Sequence, residues 1–313
     1  MVVAILLLLT AVIIDVVRPD LLAALILVPS WCWFLGGMSS AILVWRTGQR
    51  CPAIALVILW SVFALEWLEE VKAFARVIVV QIRFYPVPAG RRFRIVSLNC
   101  ANSVRCSAEL KRANPDVVLV QEIPSPDALA QMASQVFGTE GRILVGGDTA
   151  IMARSEIRTQ FVDPGKHFVI GTVLFDGGRE VNCVSLRLIP PVSRLDFWNA
   201  EFWLDHRDMR LSHRRQLQQV MAEIGDANSP SPLVIGGDFN TVPLDSAFDS
   251  LQPRLSDSFA KAGVGWGATG TNDMLLFRVD QIWTNAHLTP IQVFAEKTTH
   301  SDHRMVVCDV VLQ

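Results

Sequence analysis

The run Pro232-Leu-Val-Ile-Gly-Gly-Asp-Phe-Asn240 limits the folding of this chain more than any other stretch. Leu233–Ile235 reads as a buried strand, and the two glycines after it let the backbone turn tightly. Asp238 and Asn240, two residues apart, can then present both heads at the strand's carboxyl edge. An ionised carboxylate beside an amide suits holding a water, or a metal-bound hydroxide, against a phosphorus centre. The bland alternative is a strand followed by an Asx turn with no chemistry attached.

Other strand ends bear on that choice. Ile95-Val-Ser-Leu-Asn99 ends in an amide able to hold a phosphate oxygen or orient a metal ligand. Val117–Val120 is a short buried strand followed by Gln121-Glu122, so a carboxylate sits at the edge where an open α/β sheet builds its site. A hard cation such as Mg²⁺ takes one or two such carboxylates and keeps several waters. Leu276–Thr284 reads as a strand carrying Asp280, and His300-Ser-Asp302-His303 precedes the apolar strand Met305–Val311. Those last neighbours do not form a Ser/His/Asp triad, because adjacent side chains point different ways and no Gly-x-Ser-x-Gly elbow is present.

Thr149–Arg154 and Arg179–Leu188 add further strands, while Ala108–Ala113, Asp127–Phe137 and Asp196–Ile224 read as helices. The strands follow one another too often for a parallel Rossmann unit. They suit an α/β fold of two packed sheets with outer helices. The basic cluster Arg207, Arg210, His213, Arg214 and Arg215 reads as a solvated helix face, with contact to anionic headgroups or substrate as its rival.

Hydrophobic residues make up 51% of the chain and mean hydropathy is +0.35, with the excess at the front. Met1–Ile14 is uninterrupted apolar sequence. Leu21–Trp45 carries no charge and is long enough to cross a bilayer with some tilt. Cys51–Leu65 is a third, shorter run before Glu66, Glu69 and Glu70. Val71–Tyr85 mixes Lys72, Arg76 and Arg83 with aliphatics and reads as a stretch lying along the membrane surface. Residues 1–83 are therefore expected to form a membrane segment of two to three transmembrane helices, 84–93 a linker and 94–313 one globular domain. A cleaved signal peptide is disfavoured, since no basic n-region precedes the first run and two more follow. Arg46 and Arg50 favour a cytoplasmic loop, which with three spans puts the domain outside the cytoplasm.

The net charge of −2 gives no broad grip on nucleic acid but leaves a small phosphate substrate open. The six cysteines show no zinc spacing. Cys183 and Cys308 read as buried thiols, and Cys100 and Cys106 could bridge a loop in an oxidising compartment.

Taken in order, Ser-Leu-Asn99, Gln-Glu122, Gly-Asp238-Phe-Asn240, Val-Asp280-Gln-Ile-Trp and Ser-Asp302-His303 resemble the endonuclease/exonuclease/phosphatase superfamily over about Arg94–Gln313. With its apolar front, the chain looks like a bacterial membrane-tethered branch of it. The resemblance implies a four-layered α/β sandwich of two packed β-sheets flanked by helices, preceded here by the transmembrane segment. It implies Mg²⁺ or Mn²⁺ as cofactor and hydrolysis of a phosphoester by direct attack of water. Glu122 would be the main metal ligand, with Asn99 close by and Asp302 near or on the metal. Asp238 and Asn240 would position and deprotonate the water. His303 would contact the scissile phosphate, as a base or as a protonated charge stabiliser, with Asp280 fixing its tautomer.

One departure stands out. The superfamily's usual His in the strand before the acidic pair is Arg187 here, in Val-Ser-Leu-Arg-Leu. Arginine grips phosphate bidentately but cannot act as a general acid near neutral pH. Gln281 is a milder change. Trp266 and Asn272-Asp273, in the Gly-rich loop Gly263–Asp273, could rim the pocket, and Trp266 either stacks on substrate there or packs in the core. The expected function is that of a membrane-anchored, metal-dependent phosphodiesterase or phosphatase of the bacterial inner membrane, its domain extracytoplasmic. A lipid or small organophosphate is favoured as substrate. An extracytoplasmic nuclease and a catalytically silent binding protein are the alternatives.

Overall fold

A computed structural model describes residues 2–82, 92–175, 177–225, 231–252 and 254–313. Four helices precede the first strand: α1 (Val2–Val12), α2 (Ser30–Arg46), α3 (Arg50–Trp67) and α4 (Glu69–Ile82). The first sheet opens with β1 (Arg92–Asn99), β2 (Val117–Gln121), β3 (Arg142–Val145) and β4 (Thr149–Ala153). The second holds β5 (Ile157–Val162), β6 (Phe168–Phe175), β7 (Arg179–Arg187), β8 (Leu233–Asp238), β9 (Ser256–Asp257) and β10 (Asp280–Thr284). The chain then returns to the first sheet with β11 (Leu288–Glu296) and β12 (Met305–Leu312).

Each sheet has six strands, in the orders β11-β12-β1-β2-β4-β3 and β5-β6-β7-β8-β10-β9. Both are mixed, and in each the central pair is the parallel one, β1–β2 and β7–β8. Within these pairs Asn99 lies opposite Gln121 and Arg187 opposite Asp238, so each parallel pair carries polar residues to its carboxyl end.

Alternation along the strands sorts the apolar side chains into layers. Ile95, Leu119 and Ile151 meet Val169, Cys183 and Val234 between the sheets. On the outer face of the first sheet, Leu98 and Val118 are covered by α5 (Ser107–Ala113) through Leu110 and by α6 (Pro126–Phe137) through Leu129 and Met132. On the outer face of the second, Leu186 and Ile235 pack on Leu217 and Val220 of α7 (Ala200–Ile224) and on Phe248. Each such side chain, buried in full, contributes about 1.5–3 kcal/mol. The layers run helix, sheet, sheet, helix.

The two glycines before Asp238 do something other than turn the chain, since β8 continues through both of them. A Cβ on Gly236 would stand 2.6 Å from Leu119 Cδ1, and one on Gly237 1.9 Å from the Leu186 carbonyl oxygen. They admit the facing sheet and the neighbouring strand, and the turn begins only after Asp238.

The N-terminal region is helical but differs from the expected layout. Leu21–Trp45 is not one span: Asp20–Leu27 forms a 3₁₀ helix, Val28 and Pro29 are extended, and α2 starts at Ser30. Proline cannot continue the preceding helix, and an ion pair from Asp20 to Arg214 of α7, 2.8 Å, holds the 3₁₀ turn against the domain. The expected solvated face of α7 is thus only partly solvated. Arg210 and His213 are buried, and Arg210 and Arg214 dock the 3₁₀ segment. Among the described residues, Arg207 and Arg215 bond only within their own helix. Helix α4 also lies on the domain, Arg76 donating to the carbonyls of Phe259 and Gly263 at the end of α8 (Ser258–Ala262). Among the described residues α3 is the one helix long and apolar enough to cross a membrane alone. The pair Val2–Val17 and Asp20–Leu27 passes only if taken together across a 114° bend. The expected linker 84–93 lies outside the described residues except for Arg92 and Phe93, which open β1. All six cysteines are free, Cys100, Cys106, Cys183 and Cys308 being buried.

Candidate active site

The carboxyl ends of the two central parallel pairs face one another at one edge of the sandwich, and most of the sequence-derived site residues meet there. Asn99, closing β1, is buried, and its Nδ2 donates to Glu122 Oε1 at 2.9 Å and to Asp238 Oδ2 at 3.1 Å. One amide therefore links the acids of the two sheets. Glu122 and Asn240 each take a left-handed backbone conformation, φ 45° and 48°, one and two residues beyond their strands. That sharp bend aims both side chains across the edge instead of along it. Asn240 donates its backbone N–H to Asp238 Oδ1 and its Nδ2 to the Leu188 carbonyl, both at 2.9 Å.

Asp280 opens β10 directly opposite Asp238 in the antiparallel register. Its Oδ2 lies 2.8 Å from His303 Nδ1, while its Oδ1 is buried without a partner. Asp238, Asp280 and His303 each offer one ligand atom, and these lie within 4.8 Å of one another. Two carboxylates and an imidazole are donors a divalent cation accepts, and the unpartnered Asp280 oxygen is the kind of buried group a cation would satisfy.

Charge at this edge is out of balance. Burial, and after it the Asp280 carboxylate, push Asp238 up to about 7. Burial works against the His303 imidazolium, but the Asp280 charge and hydrogen bond, helped by Asp238, outweigh it and push His303 up to about 10. The His303 shift expresses the acids around it, and the Asp238 shift first its burial and then the Asp280 charge, both of which a metal ion or a held proton relieves.

Arg187, at the end of β7, is the positive counterweight. Its Nη2 pairs with Glu122 Oε1 at 2.7 Å and its Nη1 with Asp148 Oδ2 at 2.6 Å. Its Nε is buried without a hydrogen bond, 3.9 Å from Asp238 Oδ2. Asp302 is exposed and stands outside the Asp238–Asp280–His303 group. It lines a polar groove of about 700 Å³ with Asn272, Asp273, Lys297 and Thr299. Trp266 donates its indole N–H to the Leu275 carbonyl and packs near Phe74 of α4, ring centroids 6.3 Å apart. Gln281 donates to the Thr241 carbonyl and accepts from Trp283 Nε1.

The profile of the endonuclease/exonuclease/phosphatase family matches residues 96–303, the greater part of the chain. The chain belongs to this family. Solved structures agree in fold. A mannosyl-6-phosphatase of Bacteroides thetaiotaomicron is 16% identical with a TM-score of 0.56, over 70% of this chain and 100% of that one. A humanised TDP2 of D. rerio is 18% identical with a TM-score of 0.51, over 71% and 99%. An endonuclease/exonuclease/phosphatase protein of Beutenbergia cavernae is 16% identical with a TM-score of 0.54, over 71% and 72%. No curated protein matches.

Several residues of this family site escaped the reading of the sequence. Asp148 completes the Arg187 pair, and its setting, Gly146-Gly147-Asp148, repeats the tripeptide Gly236-Gly237-Asp238. That repetition was the available signal. Thr269 Oγ1 accepts the backbone N–H groups of Val279 and Asp280, and Ser301 Oγ donates to the Asn99 carbonyl while accepting from His303 N–H. Asn272 is buried and grips Thr298 and Ser301, which fixes the loop carrying His303. No local pattern marks Thr269 or Ser301, whereas Asn272 stands in the loop expected to rim the pocket.

Proposed function

We propose that the protein is a divalent-metal-dependent phosphoester hydrolase that directs a water at phosphorus. The carrying observation is the buried Asp238–Asp280–His303 group, with its surplus negative charge, set one amide away from Glu122. The acids of this edge would hold Mg²⁺ or Mn²⁺, with Glu122 and Asp302 as ligands. A bound cation supplies Lewis-acid polarisation of a phosphoryl oxygen. The protein's own groups do the remainder. Asn240 and Asp238 would hold the attacking water, with the Asp238 carboxylate as its base. His303, kept protonated by Asp280, donates to a phosphate oxygen as charge accumulates there. Arg187 would reach the phosphate by exchanging Glu122 or Asp148 for it, and it supplies no general acid, which favours leaving groups of low pKa.

Among substrates, a membrane lipid or small organophosphate fits better than nucleic acid, because net charge is −2 and the helices α1–α3 expose Leu6, Leu43, Ile58 and Leu65. We take α3 as a span and the hydrolytic domain as extracytoplasmic. Relatives of the same fold include a mannosyl-6-phosphatase and a TDP2 complexed with a single-strand DNA product, so sugar phosphates and DNA ends are the competing classes. The deciding experiment incubates the full chain, in detergent with Mg²⁺, with phospholipid vesicles, an aryl phosphodiester, a sugar phosphate and single-stranded DNA. Metal-dependent release from at least one supports hydrolysis. Metal binding with release from none supports a silent binding role.

A further inference from the structure

Two buried arginines tie the N-terminal helices to the loops that deliver Asn240 and Asp280. Arg278, its side chain 6% exposed, donates Nε and Nη2 to the two Glu69 oxygens at 2.9 and 2.7 Å. From its other side it pairs with Asp257, Nη1 to Oδ1 at 3.1 Å and Nη2 to Oδ2 at 2.5 Å. Arg278 lies two residues before Asp280. Its carbonyl accepts from Gln281 Nε2, which also donates to the Thr241 carbonyl at 3.0 Å.

Arg210 makes the second tie. Its side chain is 3% exposed and reaches Asp245 at 3.1 Å, Asp20 at 3.7 Å and the carbonyls of Arg18 and Pro19, each at 3.1 Å. Asp245 in turn accepts from Thr241 Oγ1, the residue after Asn240. Beside the first tie, at Glu69 and Arg278, the seam is open. A cavity of about 110 Å³ lies there, with Ile26, Pro29 and Trp67 on one wall and Pro243, Leu244 and Phe277 on the other. Charged contacts, rather than close packing, therefore fix these loops against the helices. Thr241 is common to both networks, receiving Gln281 at its carbonyl and giving its hydroxyl to Asp245.

We propose that Glu69 and Asp20 are positioning residues of the hydrolytic site, so that the N-terminal segment is part of the catalytic architecture as well as an anchor. The proposal rests on the phosphoester-hydrolase reading. A guanidinium sealed from water keeps one geometry only while its acids surround it, and each arginine here takes one acid from the domain and one from the segment. Loss of Glu69 leaves Arg278 free to reorient on Asp257, and loss of Asp20 removes the acid that Arg210 and Arg214 share while Arg210 keeps the carbonyls of Arg18 and Pro19, so the adjoining loop loosens in each case. The outer faces of both sheets close on strand and domain-helix residues alone, and the core between the sheets takes from the segment only Ala73 of α4, so the sheets depend on neither charged contact.

The test uses the full chain in detergent with Mg²⁺ and an aryl phosphodiester. Glu69→Gln and Asp20→Asn are expected to lower kcat about tenfold while KM stays within twofold. Amide exchange should quicken in 241–245 and 276–280 and not in β1 or β2. Glu70→Gln, a neighbour outside the network, should change neither. An unchanged kcat in both variants overturns the proposal, as does exchange that quickens equally through the sheets. If the unaltered protein hydrolyses nothing, the hydrolase reading falls by itself. The exchange measurement then decides separately whether these acids hold the two loops, and loops unaffected by either variant overturn that as well.

Discussion

Arg187 and Glu122 meet in an ion pair of 2.7 Å between the last residue of β7 and the first residue beyond β2. The same guanidinium holds Asp148 at 2.6 Å. It therefore neutralises the acid expected to bind metal while being the group best shaped to bind phosphate, and removing it should pull the two functions apart. Arg187→Gln is expected to lower kcat/KM about 10- to 100-fold, the value of a lost charge-assisted hydrogen bond. The same variant should raise Mg²⁺ affinity, because Glu122 and Asp148 lose their cation. Calorimetric titration beside steady-state kinetics checks both. Weaker Mg²⁺ binding would mean that Arg187 assists the metal rather than competing with it.

His303 owes its high proton affinity to Asp280, whose Oδ2 lies 2.8 Å from Nδ1. In Asp280→Asn the imidazole should titrate well below the value of about 10 it has beside the carboxylate. Turnover should fall by about 10²-fold or more with the loss of the charged donor. NMR titration of the ring protons reads the shift directly, and a His303 that still titrates near 10 would point to another partner.

The metal assignment can be split between the two acidic groups at the edge. Glu122→Gln is expected to weaken Mg²⁺ binding about 10- to 100-fold, and Asp302→Asn less, since Asp302 is exposed and stands apart. Metal affinity that ignores Glu122 but collapses in Asp280→Asn would place the ion wholly within the Asp238–Asp280–His303 group.

The sequence makes most of this edge legible because each of Asn99, Glu122, Asp238 and Arg187 closes or follows an apolar strand, and strand ends are visible as abrupt changes of composition. Asp280 and His303 are found through the family's order of motifs, not through periodicity. Thr269 is invisible because its partners, the backbone of Val279 and Asp280, are contacts across the fold with no local signature, while Asp148 shows only in the Gly-Gly-Asp tripeptide it shares with Asp238, and its pairing with Arg187 does not show at all. The front of the chain is misread at Leu21–Trp45 because an uncharged run fixes hydropathy but not helical continuity. Pro29 and the pull of Arg214 on Asp20 break it. Arg210 shows the same limit, since a cationic helix face looks solvated until an acid from a distant segment covers it.

The metal-free protein should lose stability as pH rises through neutrality. His303 is raised from 6.5 to about 10 in the folded state, so its folded form binds a proton that the unfolded form releases across that interval. Stabilisation is complete below about 6.5 and is lost toward pH 10, at up to about 1.4 kcal/mol per pH unit. Asp238, raised from 3.8 to about 7, acts in the same sense over its own lower window. Thermal melts between pH 5 and 10 in the presence of chelator should show a falling Tm. Saturating Mg²⁺ should remove the Asp238 share of the slope, because the cation competes with the proton on that carboxylate, and leave the His303 share. A Tm that climbs over this interval would contradict the charge balance assigned to the edge.

Gly237 carries the last prediction, since it decides where Asp238 stands. Its Cβ would fall 1.9 Å from the Leu186 carbonyl oxygen, a backbone atom of the neighbouring strand that cannot swing aside. At Gly236 the nearest atom is Leu119 Cδ1, 2.6 Å away, the end of a side chain that can repack. Gly237→Ala should therefore cost about 3 kcal/mol or more and Gly236→Ala less, with part of the latter recovered by Leu119→Val. Because β7 and β8 pair in parallel and Arg187 lies opposite Asp238, prying the strands apart at Gly237 also separates the phosphate fork from the base. Activity in Gly237→Ala should consequently fall further than its loss of folded population explains, measured by chemical denaturation and kinetics at a temperature where the variant remains folded. Activity that merely follows the folded fraction would mean that the spacing of Arg187 and Asp238 does not limit the reaction.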